Sequence, residues 1–324
     1  MESRQAWCSF GGKPGRAQPD RLTRPSLRRL ECGRYINRAP SRVQGGNVPK
    51  LLTQGAVDAF WRDGFHFPVR VLTPDEARGF RAKLEAYETA QGGPIASNMR
   101  HKVHLLFTWA ADLVRHPKIL DAVEDLLGPN ILCWTTNFFI KEANNPAFVS
   151  WHQDATYWGL DPDDVITAWV ALSDAPVESG AMEFIPGSHR MGQLPHADTF
   201  HEHNLLSRGQ EIAVKVDTAQ AVKVPLRAGE MSLHHVKLAH YSGPNTTGDR
   251  RIGLAIRYIP PHVRQTKVRD SATLVRGRDT GGFYDLEPRP TADLDAAALA
   301  AHRDAVGRQV AALYSGTDKT QFRA

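Results

Sequence analysis

The sequence predicts a mainly β domain with flanking helices, an antiparallel sandwich or barrel backed by helical layers. Three observations point there. Helical periodicity is confined to residues 53–128 and to the carboxy-terminal end. Between residues 131 and 259 the pattern becomes short β-branched or aromatic runs separated by turn residues. The chain has 324 residues, 41% of them apolar, enough for one large domain or two small ones. No internal repeat or clear boundary divides residues 48–324, which read as one domain.

The elements follow in order. Residues 1–47 are rich in Gly, Pro, Ser and Arg and lack either period, so they cannot bury enough apolar surface to offset their chain entropy. They read as a disordered basic extension; a targeting peptide and a non-native extension are the alternatives. Thr53 caps a helix that places Val57, Phe60 and Trp61 on one face and ends at Gly64. Phe65 to Val71 reads as a strand. Thr73-Pro74-Asp75-Glu76 forms a capping box for a helix with Ala77, Phe80, Leu84 and Tyr87 on one stripe. A third helix carries Ile119, Leu120, Val123, Leu126 and Leu127 and stops at Gly128.

Seven strands are expected next: Ile131–Lys141, Phe148–Asp154, Val165–Leu172, Met182–Ile185, Ala221–Val224, Met231–His235 and Arg251–Ile259. A last helix, 291–314, turns Leu299, Val306, Val310 and Leu313 inward.

Charge excludes one class of function. Lys and Arg number 40 against 35 Asp and Glu, a formal net of +5. Ten of those cations and only three of the acids lie in residues 1–47, leaving 30 against 32 in the rest. The folded part is therefore slightly acidic, which argues against nucleic acid as a partner. Cys8, Cys32 and Cys133 form no CxxC pair, so neither a zinc ribbon nor a disulfide scaffold is expected, and the cytoplasm is the natural compartment. No apolar run is long enough to span a membrane.

The chemistry concentrates in Ser150-Trp151-His152-Gln153-Asp154. On a strand, residues i and i+2 share a face, so His152 and Asp154 can reach one metal. Two other HxD matches compete. His196/Asp198 sits in a polar, proline-flanked stretch without a strand pattern, and His302/Asp304 lies in a helix, where i and i+2 diverge. The third ligand comes from His234, His235 or His240, and His240 stands where a strand gives way to a turn. A buried, carbonyl-bonded histidine is the alternative. Eleven residues on, Arg251 opens an apolar run and shares a face with Gly253, Ala255 and Arg257. A guanidinium there can hold a carboxylate in bidentate fashion.

Taken together these residues resemble the phytanoyl-CoA dioxygenase-like family of Fe(II)- and 2-oxoglutarate-dependent oxygenases. The matching pieces are Trp151-His152-Gln153-Asp154, His240-Tyr-Ser-Gly-Pro-Asn245 and Arg251, with Gly180 to His189 and Phe60 to Phe65 as connecting segments. The resemblance covers roughly residues 50–262. It implies a double-stranded β-helix, the cupin-like jelly-roll barrel, with His152, Asp154 and His240 holding Fe(II). Arg251 would pair with the distal carboxylate of 2-oxoglutarate, Ser242 would assist it, and Trp169 would pack against it. On the strand ending at Lys141, residues Thr135, Asn137, Phe139 and Lys141 share one face. Asn137 and Lys141 are counted with the cosubstrate contacts, a solvent-facing role being the alternative. Tyr157 and Trp158 are candidates for a substrate wall. His101, Lys102 and His104 lie where relatives place contacts, and surface exposure explains them equally well.

The activity so implied is hydroxylation of an unactivated C–H bond of a small molecule, an acyl, amino-acid-derived or natural-product intermediate. 2-Oxoglutarate and O2 are the cosubstrates, and succinate and CO2 are released. Halogenating members of the family replace the carboxylate ligand with a small residue, so Asp154 makes hydroxylation the default. Desaturation, epoxidation or cyclisation would use the same ligands. A catalytically silent cupin-like binding protein and a zinc hydrolase are the readings from other classes. A monomer or homodimer is expected.

Overall fold

A computed structural model describes residues 48–319 and 321–322; the expected extension over residues 1–47 lies outside them. The described residues fall within one compact unit. Its helices are α1 (Gln54–Asp63), α2 (Pro74–Gln91), α3 (Thr108–Leu113), α4 (Pro117–Leu127), α5 (Ala155–Trp158) and α6 (Ala296–Leu313). The strands are β1 (Phe65–Arg70), β2 (Ile131–Lys141), β3 (Val149–His152), β4 (Leu160–Asp161), β5 (Ile166–Ala171), β6 (Met182–Phe184), β7 (His196–Asp198) and β8 (Gln210–Ile212). They continue with β9 (Val222–Val224), β10 (Glu230–His235), β11 (His240–Ser242), β12 (Arg251–Ile259), β13 (Arg264–Gln265), β14 (Ser271–Arg276) and β15 (Asp285–Leu286).

Local signals set the helix ends. Thr53 Oγ1 accepts the Ala56 N–H at 3.1 Å, and Gly64 ends α1 at φ +88°, a conformation that favours glycine. At α2 the capping box is reciprocal. Glu76 N–H donates to Thr73 Oγ1 at 3.2 Å while the Thr73 N–H donates to Glu76 at 2.7 Å.

Two sheets make the jelly roll. The larger runs β1-β10-β5-β12-β2-β14-β15 and the smaller β3-β11-β6-β9. Alternation along β12 shows how the large sheet is shared. Ile252, Leu254, Ile256 and Tyr258 face the layer of α1 to α4, each fully buried and contributing about 2 kcal/mol. Gly253 and Ala255 face the other way, where Trp169 and Ala171 meet Met182 and Phe184 of the small sheet. The site occupies this inner space.

Four expectations are corrected. The strand expected over Phe148–Asp154 ends at His152. His196–Asp198 is a strand after all, paired with β8. The last helix begins at Ala296, because Asp295 caps it by accepting the Ala298 N–H at 2.7 Å. That phase buries Ala298, His302, Val306 and Val310 and leaves Leu299 exposed, not inward. The region after Pro261, which resembled nothing, extends the large sheet beyond β2 with β14 and the edge strand β15.

Candidate metal centre and cosubstrate pocket

His152 ends β3 and His240 begins β11, and the two are direct antiparallel partners with ring centroids 4.0 Å apart. Asp154 reaches them by a different route from the one alternation predicts. It lies beyond the strand in right-handed helical conformation (φ −59°, ψ −35°), capping α5. The turn into that helix brings its carboxylate back to 3.3 Å from His152 Nε2. Ligand-type atoms of all three buried residues lie within 4.8 Å of one another.

The hydrogen bonds around them select the tautomer. His152 Nδ1–H donates to the Ser150 carbonyl at 2.8 Å, and His240 Nδ1–H to the Leu238 carbonyl at 2.9 Å. Each Nε2 is then left with a lone pair. Burial keeps His240 neutral by pushing it well below the usual histidine range. Burial alone would raise the Asp154 carboxyl, but its hydrogen bond with His152 and the positive charge of Arg257 outweigh it and hold it below the usual carboxylate range. Nε2 of His152 faces Asp154 Oδ1 at 3.3 Å, and Asp154 Oδ2 has no hydrogen-bond partner among the described residues. Two ring nitrogens and a carboxylate converging in this way form an arrangement that a divalent cation completes. Two neutral imidazoles and one carboxylate suit Fe(II) with an open coordination face.

The rival histidines are committed elsewhere. His196 Nε2 accepts the Gln153 N–H at 2.9 Å, while Asp198 accepts the Tyr157 hydroxyl and pairs with Arg208. His302 Nε2–H donates to the His101 carbonyl, and exposed Asp304 pairs with Arg308. His235 accepts the Lys237 N–H and packs against Trp61 and His189. His234 stays near the centre, 4.0 Å from Asp154 Oδ2, outside the three-residue group.

A cavity runs from this centre to Ser242, Trp169 and Arg251. Arg251 is 2% exposed, donates through Nη1 to the Gly180 carbonyl at 2.8 Å and lies 3.4 Å from Ser242 Oγ. Burial lowers its pKa to about 10. Lys141, its cross-strand partner, donates to Ser242 Oγ at 2.5 Å and to the Gly243 carbonyl. Burial and the Arg251 charge push Lys141 down to about 6. The Trp169 ring lies over Gly253, where any Cβ would overlap it, and stands 5.2 Å from the Arg251 guanidinium. Arg251, Ser242, Lys141 and Trp169 therefore come together.

Asn137 does not join them. It lies toward the other end of β2, where Oδ1 accepts Arg257 Nη1–H at 2.8 Å and the amide meets His101. Both line a second, larger cavity of about 140 Å3 that Asp154, Tyr157 and Trp158 also border. Tyr157 is pinned there by its 2.6 Å hydrogen bond to Asp198 and by Arg208 over its ring at 3.9 Å. Trp158 packs on Trp134 with centroids 5.0 Å apart. Surface exposure is not the setting of Lys102 and His104: both are buried and both bond to Glu287. Arg257 is the residue that sequence reasoning placed on the right face without giving it a role.

Residues 60–253 match the family described as Phytanoyl-CoA dioxygenase (PhyH), more than half of the chain. The chain belongs to this family. With membership come Fe(II) as metal and 2-oxoglutarate and O2 as cosubstrates, the set of a 2-oxoglutarate-dependent non-haem iron dioxygenase. A solved non-heme monooxygenase, ThoJ in its apo form, is 45% identical, covering 78% of this chain and 95% of that one with a TM-score of 0.71. A probable alpha-ketoglutarate-dependent hypophosphite dioxygenase of Stutzerimonas stutzeri is 33% identical over 188 residues, which span 56% of this chain and 65% of that protein. L-proline trans-4-hydroxylase of Streptomyces griseoviridis is 27% identical over 223 residues, 61% of this chain and 83% of that one. Among the described residues no helix is long and apolar enough to cross a membrane.

Proposed function

We propose that this chain hydroxylates an unactivated C–H bond of a small molecule, consuming 2-oxoglutarate and O2 and releasing succinate and CO2. The observation that carries the reading is the convergence of His152, Asp154 and His240 beside the buried guanidinium of Arg251. His152 Nε2, Asp154 and His240 Nε2 hold Fe(II), and the Ser150 and Leu238 carbonyls keep both rings oriented for it. Arg251 receives the distal carboxylate of the cosubstrate, Ser242 and Lys141 add donors, and the Trp169 face closes one side.

The chemistry supplied by iron with 2-oxoglutarate and O2 is oxidation of a C–H bond; the protein orients that bond and keeps competing reactions out. Tyr157 and Trp158 wall the larger cavity, where the substrate meets the metal centre at Asp154. The names of the proline hydroxylase and the hypophosphite dioxygenase support a small substrate, and the first supports hydroxylation.

The test is turnover of 2-oxoglutarate by the Fe(II)-loaded protein under air, followed as succinate, with a mass-spectrometric screen for a product heavier by one oxygen atom. Succinate is expected even without substrate, at a slow rate. The reading fails if neither 2-oxoglutarate nor its unreactive analogue N-oxalylglycine raises the melting temperature of the Mn(II)-loaded protein.

A further inference from the structure

Two guanidiniums point inward from β12. Arg251 has its task in the cosubstrate pocket; Arg257, six residues on, borders both the metal-centre cavity and the larger one. Arg257 is 5% exposed, and among the described residues no carboxylate oxygen lies within 4.0 Å of it. Its polar contacts are the neutral Asn137 Oδ1 at 2.8 Å and the Ala255 carbonyl at 3.4 Å, and its Nε has no partner. Phe139 and Trp158 lie 5.6 and 5.3 Å from it.

A buried charge without a counter-ion is costly, so an arrangement of this kind is maintained where an anion will arrive. Of the other two arginines at the larger cavity, Arg208 is already paired with Asp198, and Arg100 donates to the Ile95 carbonyl at 3.1 Å. Nor does Asp154 satisfy Arg257 in the loaded protein. With both histidines neutral, Asp154 and the metal-binding carboxylate of 2-oxoglutarate together balance the two charges of Fe(II). The charge of Arg257 is then left over, at the boundary between metal centre and substrate space.

We infer that Arg257 binds a carboxylate of the substrate, so that the molecule oxidised here is a carboxylic acid. The planar fork of the guanidinium matches a two-oxygen planar anion, Asn137 fixes the fork's orientation, and the aromatic rings pack the adjoining carbon frame. The inference rests on the proposed oxygenase function and adds the substrate class to it. The same chemistry has a second source, the metal-binding carboxylate of 2-oxoglutarate itself, and the test separates the two.

The test uses the full chain loaded with Mn(II). Calorimetry gives the affinity of N-oxalylglycine for the wild type, Arg257→Met and Arg257→Lys. Melting temperatures are then measured with saturating N-oxalylglycine and a panel of aliphatic, aromatic, amino-acid and N-acylamino-acid carboxylates, each against its primary amide. At least one acid is expected to stabilise the wild type more than its amide. Arg257→Met should lose that preference and Arg257→Lys keep part of it, while N-oxalylglycine affinity changes by less than about threefold, under 1 kcal/mol. A loss of roughly tenfold or more in N-oxalylglycine affinity in Arg257→Met, with any acid preference unchanged, assigns Arg257 to the cosubstrate and overturns the inference. Equal response to acids and amides in the wild type, including no response, overturns it too. If Arg257→Met does not fold, Asn137→Ala decides, since it keeps the charge but frees the fork and must weaken the preference. Failure of N-oxalylglycine to bind the wild type is a different result: it removes the oxygenase reading itself.

Discussion

Lys141 and Arg251 stand directly opposite each other on β2 and β12, and both side chains reach Ser242 Oγ, at 2.5 and 3.4 Å. Two cationic side chains on one buried hydroxyl are compatible only if one gives up its proton or an anion joins them. Lys141 is the one that yields, since guanidinium holds its proton far more tightly. An incoming carboxylate reverses the balance.

The pH dependence follows from that. Lys141 falls from 10.5 in the free side chain to about 6 in the folded protein. Between those values the unfolded chain binds the extra proton, so this group's contribution to stability rises with pH, by up to about 1.4 kcal/mol per unit. Binding of the cosubstrate dicarboxylate restores the ammonium, so one proton should be taken up near pH 7 to 8. Calorimetry of N-oxalylglycine in two buffers of different ionisation enthalpy measures it. Lys141→Met should abolish the uptake.

On the proposed function, Arg251→Met removes the charge that would face the distal carboxylate and would leave that carboxylate buried without its partner. The expected loss is about 3 kcal/mol, or roughly a hundredfold in the KM for 2-oxoglutarate. Succinate formation at varied cosubstrate concentration checks it, and Arg251→Lys should recover only part because the bidentate fork is gone.

Gly253 has a normal strand position, yet any Cβ would overlap the Trp169 ring. Gly253→Ala therefore displaces that ring from the cosubstrate pocket. We expect a stability loss of about 1–3 kcal/mol together with weaker N-oxalylglycine binding. Urea unfolding and calorimetry on the same preparation separate the two effects. Unchanged affinity would show that Trp169 is core packing alone.

Glu287 accepts from Lys102, Ser271 and Thr273 and meets His104, all buried. Glu287→Gln leaves the Lys102 ammonium without a counter-ion and should cost about 3–5 kcal/mol in urea unfolding. The metal centre shares none of these contacts, so metal affinity per folded molecule should be unchanged.

What the chain reveals by itself divides along contact range. Both ends of α1 and the start of α2 were legible because Thr53, Gly64 and the Thr73–Glu76 pair act within a few residues of one another. The inner face of β12 was legible because alternation needs only a strand, and it already grouped Arg257 with Arg251. The pairing of His152 with Asp154 was anticipated, although by strand alternation where a turn into α5 performs it. Lys102 was not legible. It bonds a glutamate 185 residues away, and no local pattern announces a buried lysine whose partner lies in another part of the chain. The separation of Asn137 from Lys141 was hidden for a related reason. Both share one face of one strand, but the face is long enough to serve two cavities.

Metal-dependent cosubstrate binding in the wild type and Asp154→Ala tests the central claim most directly. Calorimetry should show N-oxalylglycine binding to the Mn(II)-loaded wild type and little binding without metal. In Asp154→Ala, metal affinity should fall by about a hundredfold or more while the melting temperature of the metal-free protein is unchanged or raised, because a buried carboxylate with an unpartnered oxygen is removed. Equal binding with and without metal, or full metal affinity in Asp154→Ala, would contradict the assignment of His152, Asp154 and His240 as the iron site.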